Sequence, residues 1–134
     1  MLFFGDKQKK ILSDTRLLGQ WGQNQCEKFY KSKGFKTLAR NFSCKMGEID
    51  LIVASSDSDG TVVFVEVKTR TKEKFADAES AITYAKKLRM TKAANLFVKE
   101  YELESSPLRF DVVIVIPGEK AKADIRHYEN AFVP

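Results

Sequence analysis

The chain has 134 residues, 43% of them apolar and 31% charged, enough for one domain with its own core and no need of disulfide staples. No apolar run approaches the roughly 20 residues that span a bilayer, and the opening Met1–Phe4 is shorter than a signal peptide's apolar region of about 7–15, so a cytoplasmic protein without a membrane partner is expected. The net charge of +5 is uneven: residues 1–45 carry ten Lys and Arg against three Asp and Glu, and the rest carry thirteen against fifteen. A basic first third invites a polyanion.

Residues 1–14 read as a tail or short leading element, and residues 15–134 as a single domain. From Thr15 to Lys33 the pattern is helical, with Leu18, Gly22, Cys26, Phe29 and Tyr30 at spacings of three and four, Asp14 or Thr15 as cap, and Lys33-Gly34 as the stop. Phe35–Asn41 is short and extended. Glu48–Ala54 reads as a strand rich in β-branched residues, followed by the turn cluster Ser55–Gly60. The nearly continuous apolar run 61–68 predicts a central strand covered on both faces. Residues 79–99 are helical in pattern, with Ile82, Ala85, Leu88, Leu96 and Phe97 as the expected buried stripe. Arg109–Ile116 is a further apolar strand stopped by Pro117-Gly118, and Ile125–Tyr128 a last one. The order α-β-β-β-α-β-β predicts an α/β domain with a central mixed sheet flanked by helices.

Cys26 and Cys44 are the two cysteines, without CxxC spacing, and His127 is the one histidine. A zinc site needs about four such ligands, so zinc is not expected and the thiols read as reduced.

The chemistry lies in charges placed inside strands that ought to be buried. Side chains alternate along a strand, so Glu48 and Asp50 share one face, as do Glu66 and Lys68 on the next strand. If the turn at 55–60 makes these strands antiparallel neighbours, Asp50 and Glu66 approach each other. Two carboxylates in an apolar setting repel and are costly to desolvate, a conflict that a divalent cation removes. Hard oxygen ligands at a solvent-accessible strand end suit Mg²⁺ or Mn²⁺. Lys68 would sit beside the metal and hold a scissile phosphate or orient the attacking water. A lone Glu-x-Lys is unremarkable in a chain this charged. An apolar strand that carries Glu and Lys only at its last same-face positions favours the site over decoration.

Gly47-Glu48-Ile49-Asp50-Leu51-Ile52, Phe64-Val65-Glu66-Val67-Lys68-Thr69-Arg70 and Arg109-Phe110-Asp111-Val112-Val113 resemble, in this order, the YraN-like family of bacterial proteins. Ala39-Arg40-Asn41 and Glu129-Asn130-Ala131-Phe132 extend the resemblance from about Leu18 to Phe132. It implies the restriction-endonuclease-like fold of the PD-(D/E)xK superfamily, with an α-β-β-β-α-β core similar to Holliday-junction resolvases. It also implies a catalytic set of Asp50, Glu66, Lys68 and Glu48, with Asp50 and Glu66 on the metal. The family's first helix usually reads Gly-Glu where this chain has Gly22-Gln23. In related nucleases a glutamate there supports the metal or its water, and Glu27, one turn on, is the acid on the same helical face as Gln23. Lys86 falls where a polar or basic residue of the second helix often faces the site in this superfamily, and Arg40, Arg70 and Lys72 are candidates for holding phosphates. Each of these has a solvated-surface reading of similar weight. Trp21 and the ten phenylalanines read as core, His127 as structural, and Asp111 as structural or peripheral.

The leading expectation is thus a metal-dependent endonuclease on DNA, structured or branched, as a homodimer if the analogy with resolvases extends to assembly. The alternative is a non-catalytic nucleic-acid-binding module on a nuclease fold, favoured by Gln23. A third reading makes the ion pairs purely structural.

Overall fold

A computed structural model describes residues 14–71 and 82–133; Lys72 and the predicted tail before Asp14 lie outside the described residues. Asp14 opens the first helix, α1 (Thr15–Ser32), its Oδ1 accepting from Arg16 N at 2.9 Å and Leu17 N at 3.1 Å. Such a cap satisfies main-chain donors that a helix start leaves unpaired. Gly34, at φ 89°, turns the chain out of the helix in a conformation that side chains disfavour. The face α1 buries is Gly22, Cys26, Glu27 and Tyr30.

Three antiparallel-linked strands follow: β1 (Phe35–Cys44), β2 (Gly47–Ser55) and β3 (Val62–Thr69). The turn between β2 and β3 is closed by Ser55 N donating to Thr61 O at 2.9 Å. Helix α2 (Tyr84–Glu100) then leads to β4 (Leu108–Pro117), which lies parallel to β3, and a short 3₁₀ turn at Glu119–Ala121 leads to the antiparallel edge strand β5 (Ala123–Tyr128). The sheet runs β1-β2-β3-β4-β5, mixed as the order of elements predicts.

The helices cover opposite faces. Against α1 pack Leu51, Val53, Val63, Val65, Val113 and Val115. Against α2 pack Ile49, Ile52, Phe64 and Phe110, with Phe132 completing that core. Strands β3 and β4, buried on both faces, account for the unbroken apolar runs in the sequence.

Two expectations shift. Helix α2 begins at Tyr84 with Thr83 as cap, later than the pattern from residue 79, and buries Met90, Ala93, Ala94, Phe97 and Val98. Of the predicted stripe, Phe97 is buried and Leu88 is 42% exposed. Apolar residues occupy two helical phases there. The phase carrying Ala93 and Ala94 wins because small side chains let the helix settle close on the sheet. In β2, Ile49 joins the same core as Ile52, which strict alternation forbids. The break falls at Asp50. Opposite it, between the pairs Arg40–Leu51 and Phe42–Ile49, stands Asn41 in a left-handed conformation at φ 51°.

Candidate active site

The site forms where β2 and β3 part. Their ladder ends at Leu51–Val65, and beyond it Val67 N donates to Asp50 Oδ2 at 2.8 Å instead of to a β2 carbonyl. Glu66, next on β3, is 4% exposed. Its Oε1 is shared by Lys68 Nζ at 3.5 Å and by Lys86 Nζ, from the first turn of α2, at 3.2 Å. The structure thus brings Asp50, Glu66, Lys68 and Lys86 into one cluster of two acids and two lysines.

Two glycines seat the helices around it. A Cβ on Gly22 would run into the Thr69 side chain at the end of β3, so α1 approaches there closely. Gly47 likewise lies against the main chain of Arg89, which draws α2 onto the start of β2.

Burial, together with repulsion from Glu66, pushes the Asp50 carboxyl up to about 6, against the opposing pull of Val67 N–H and Lys86. Asp50 carries charge at neutral pH under strain. Among the described residues, Asp50 Oδ1 and Glu66 Oε2 have no hydrogen-bonding partner. No three His, Cys, Asp or Glu side chains converge as a ready metal cage among the described residues. Two carboxylates with free oxygens do match a small hard cation, which ordinarily keeps waters and takes substrate phosphate oxygens for its other positions.

The other candidates separate into groups. Glu48 is exposed and lines a cleft of about 280 Å³ with Lys45, Gly47, Lys86 and Arg89, on the α2 side of the cluster. Arg70, two residues past Lys68, donates from NH1 to Thr69 O at 2.8 Å. Gln23 lines a second cleft with Arg40. Glu27 is not brought into the acid cluster. Its Oε1 accepts from Arg40 Nε at 2.9 Å, and its Oε2 from Arg40 NH2 and the Thr37 hydroxyl, each at 2.6 Å. The hydrogen bonds from Arg40 hold its carboxyl below the ordinary value, outweighing burial, with Thr37 adding to them. Periodicity placed Glu27 on the face of Gln23, but a basic side chain on β1 claims it.

Sequence reasoning missed a second polar cluster behind the sheet. Asp111, fully buried, accepts from Tyr30 O–H at 2.7 Å, Arg109 Nε at 2.9 Å and NH2 at 3.0 Å, and Asn130 N at 2.9 Å. His127 Nε2 lies 2.7 Å from the same carboxylate. Burial works to raise the Asp111 carboxyl, but the bonds from His127, Arg109, Asn130 and Tyr30 together hold it well below the carboxylate range. An ionised Asp111 has no proton to give, so at this contact the carboxylate is the acceptor. Asp111 is not peripheral, being fully buried among these partners. The one available signal was an acid beside Phe110 at the start of an apolar strand.

Cys26 is buried and Cys44 half-buried, both unbridged, and burial pushes the Cys26 thiol up. Among the described residues no helix is long and apolar enough to cross a membrane.

The model of the uncharacterised protein family UPF0102 matches residues 22–115, and the motifs around Asp50 and Glu66 resemble that same family. Similar proteins, each named a UPF0102 protein, come from several bacteria. One from Pelotomaculum thermopropionicum is 37% identical over 90% of this chain and all of its own length. One from Syntrophomonas wolfei is 39% identical over 88% of this chain and 99% of its own. One from Caldicellulosiruptor saccharolyticus is 40% identical over 89% and 99%.

Proposed function

The chain belongs to the uncharacterised protein family UPF0102, and from its own site we propose that it is a metal-dependent endonuclease acting on DNA, structured or branched, on a restriction-endonuclease-like fold. The observation that carries this reading is the pair Asp50 and Glu66. Two acids meet at a strand parting, each with an oxygen uncommitted among the described residues, beside two lysines. A structural ion-pair network would match each acid to a cation, yet among the described residues Asp50 accepts only from a main-chain N–H, with Lys86 acting on it as a nearby charge.

In this mechanism Asp50 and Glu66 would hold Mg²⁺ or Mn²⁺, and the ion when bound would supply Lewis acidity at the phosphate and lower the pKa of a water. Lys68 and Lys86 stand within 3.5 Å of Glu66 and place positive charge where the phosphate gains negative charge. Lys45 and Arg89, in the cleft beside Glu48, attract neighbouring phosphates of the strand. Arg70 adds charge at the end of β3.

Linear, nicked, flapped and four-way-junction DNA incubated with Mg²⁺, Mn²⁺ or EDTA tests this directly. Metal-dependent cleavage that Asp50→Asn and Lys68→Met both abolish is expected. Cleavage that survives both substitutions removes the site. A second reading is supported by Gln23, where related nucleases carry an acid: a nucleic-acid-binding module that does not cleave. It predicts salt-sensitive DNA binding with no cleavage under any metal.

A further inference from the structure

Four side-chain amides converge on one cleft that the proposed chemistry does not use. Gln20, Gln23 and Asn24, on one face of α1, together with Arg40 and Asn41 of β1, line a space of about 430 Å³. Among the described residues none of these four amide groups has a hydrogen-bonding partner.

Asn41 ties the cleft to the acid cluster. Its left-handed backbone, at φ 51°, stands directly across the strand pair from Asp50, between Arg40–Leu51 and Phe42–Ile49. Asparagine is among the few residues that adopt this conformation readily, and within a strand it leaves a ladder position unpaired. Arg40 is the rigid member. Glu27, buried, grips its guanidinium through Nε and NH2, and Thr37 braces Glu27 in turn. The Arg40 side chain nonetheless stays 56% exposed. A guanidinium fixed along one edge and open on the other offers a flat cationic face.

The chemistry of this lining differs from that of the cleft beside Glu48. That one presents Lys45, Lys86 and Arg89, suited to phosphate. This one presents a single cation and four groups that each both donate and accept. Such a set recognises the edge of a nucleobase, whose pattern of donors and acceptors varies with the base. A stacked, paired base cannot reach a side-chain-lined cleft; one turned out of the stack can.

We propose that this cleft takes one unpaired nucleobase of the strand whose phosphate lies at Asp50 and Glu66. The base stacks on the Arg40 guanidinium, and its edge is hydrogen-bonded by Gln20, Asn24 and Asn41. The placement of the neighbouring phosphate rests on the nuclease reading; the capture of the base does not. The substrate class is then DNA with an unpaired nucleotide beside the cleaved bond, such as a flap, loop or junction, rather than continuous duplex.

The test is fluorescence polarisation in EDTA with labelled flap DNA, a fully paired duplex of equal length, and flaps carrying one abasic site moved nucleotide by nucleotide. The flap is expected to bind about 5-fold or more tighter than the duplex, and one abasic position to erase most of that gain, as loss of a single stacked base does. Gln20→Ala with Asn24→Ala, and separately Asn41→Gly, which keeps the left-handed backbone open, are expected to abolish the abasic penalty and leave duplex affinity unchanged. Equal affinity for flap and duplex, or a penalty that both variants retain, overturns the proposal. The same DNAs with Mg²⁺ or Mn²⁺ separate the two readings. Abasic-sensitive binding without cleavage sinks the nuclease and keeps the base cleft; cleavage indifferent to every abasic position does the reverse.

Discussion

Asp50 Oδ2 accepts the main-chain N–H of Val67 at 2.8 Å, so the carboxylate that Glu66 repels is also the group that closes the end of the β2–β3 ladder. One residue carries an electrostatic penalty and a structural duty at once. The two roles separate by substitution, because an amide can accept the same hydrogen bond without the charge.

Asp50→Asn is therefore expected to hold or raise stability when no metal is added, by about 1–2 kcal/mol, since the cost of ionising a buried carboxyl beside Glu66 is relieved. Thermal melts check it. Wild type should gain stability on adding Mn²⁺ and the variant should not. A loss of stability in the variant without metal supports the purely structural ion-pair reading.

The pH dependence follows from the sign of that shift. The folded Asp50 carboxyl sits at about 6, above its unfolded value, so the folded protein holds a proton more tightly than the unfolded chain between about pH 4 and pH 6. Its contribution to stability is greatest at the acid end of that window and is lost as pH rises through about 6. Glu27 and Asp111, both held low, contribute in the opposite sense, lost on acidification. Urea melts of wild type and Asp50→Asn at pH 5 and pH 7.5 isolate the Asp50 part: the variant's advantage should be larger at pH 7.5. Metal-dependent cleavage should rise through about pH 6 in step with ionisation.

Tyr30 and Asp111, 81 residues apart, meet in the core. Tyr30→Phe leaves Asp111 its bonds from Arg109, Asn130 and His127 and should cost about 1–2 kcal/mol. Asp111→Asn breaks the charge pairing with Arg109 and should cost roughly 3 kcal/mol or more. Equilibrium denaturation measures both. Equal costs would mean that the carboxylate's charge contributes nothing to the cluster.

Gly22→Ala adds a methyl where the Thr69 side chain already stands. The strain should exceed the roughly 1 kcal/mol that alanine gains over glycine in a helix, for a net loss of about 1–2 kcal/mol. Thr69→Ala made together with it should recover part of that loss, because the Oγ1 and Cγ2 contacts go while the Cβ stays, a coupling that a double-mutant cycle reads. Additive losses would show that the two do not touch.

Much of the architecture was legible in the residues alone. β-Branched content and unbroken apolar runs marked β2, β3 and β4, and Asp14 or Thr15 with Lys33-Gly34 bracketed α1, because these signals depend on neighbours a few positions away. The pairing of β2 with β3 followed from the turn between them, which is why Asp50, Glu66 and Lys68 could be named as a group. Tertiary packing decided the rest. Two helical phases competed in α2, and the close fit of Ala93 and Ala94 on the sheet chose between them. Glu27 was assigned by its helix and claimed by Arg40 across the gap to β1. The Asp111 cluster and the amide-lined cleft join residues from separate elements, and no local period records such a meeting. Charges and polar groups far apart in the chain acquire their meaning from burial and distance, which only the folded sheet and its two helices set.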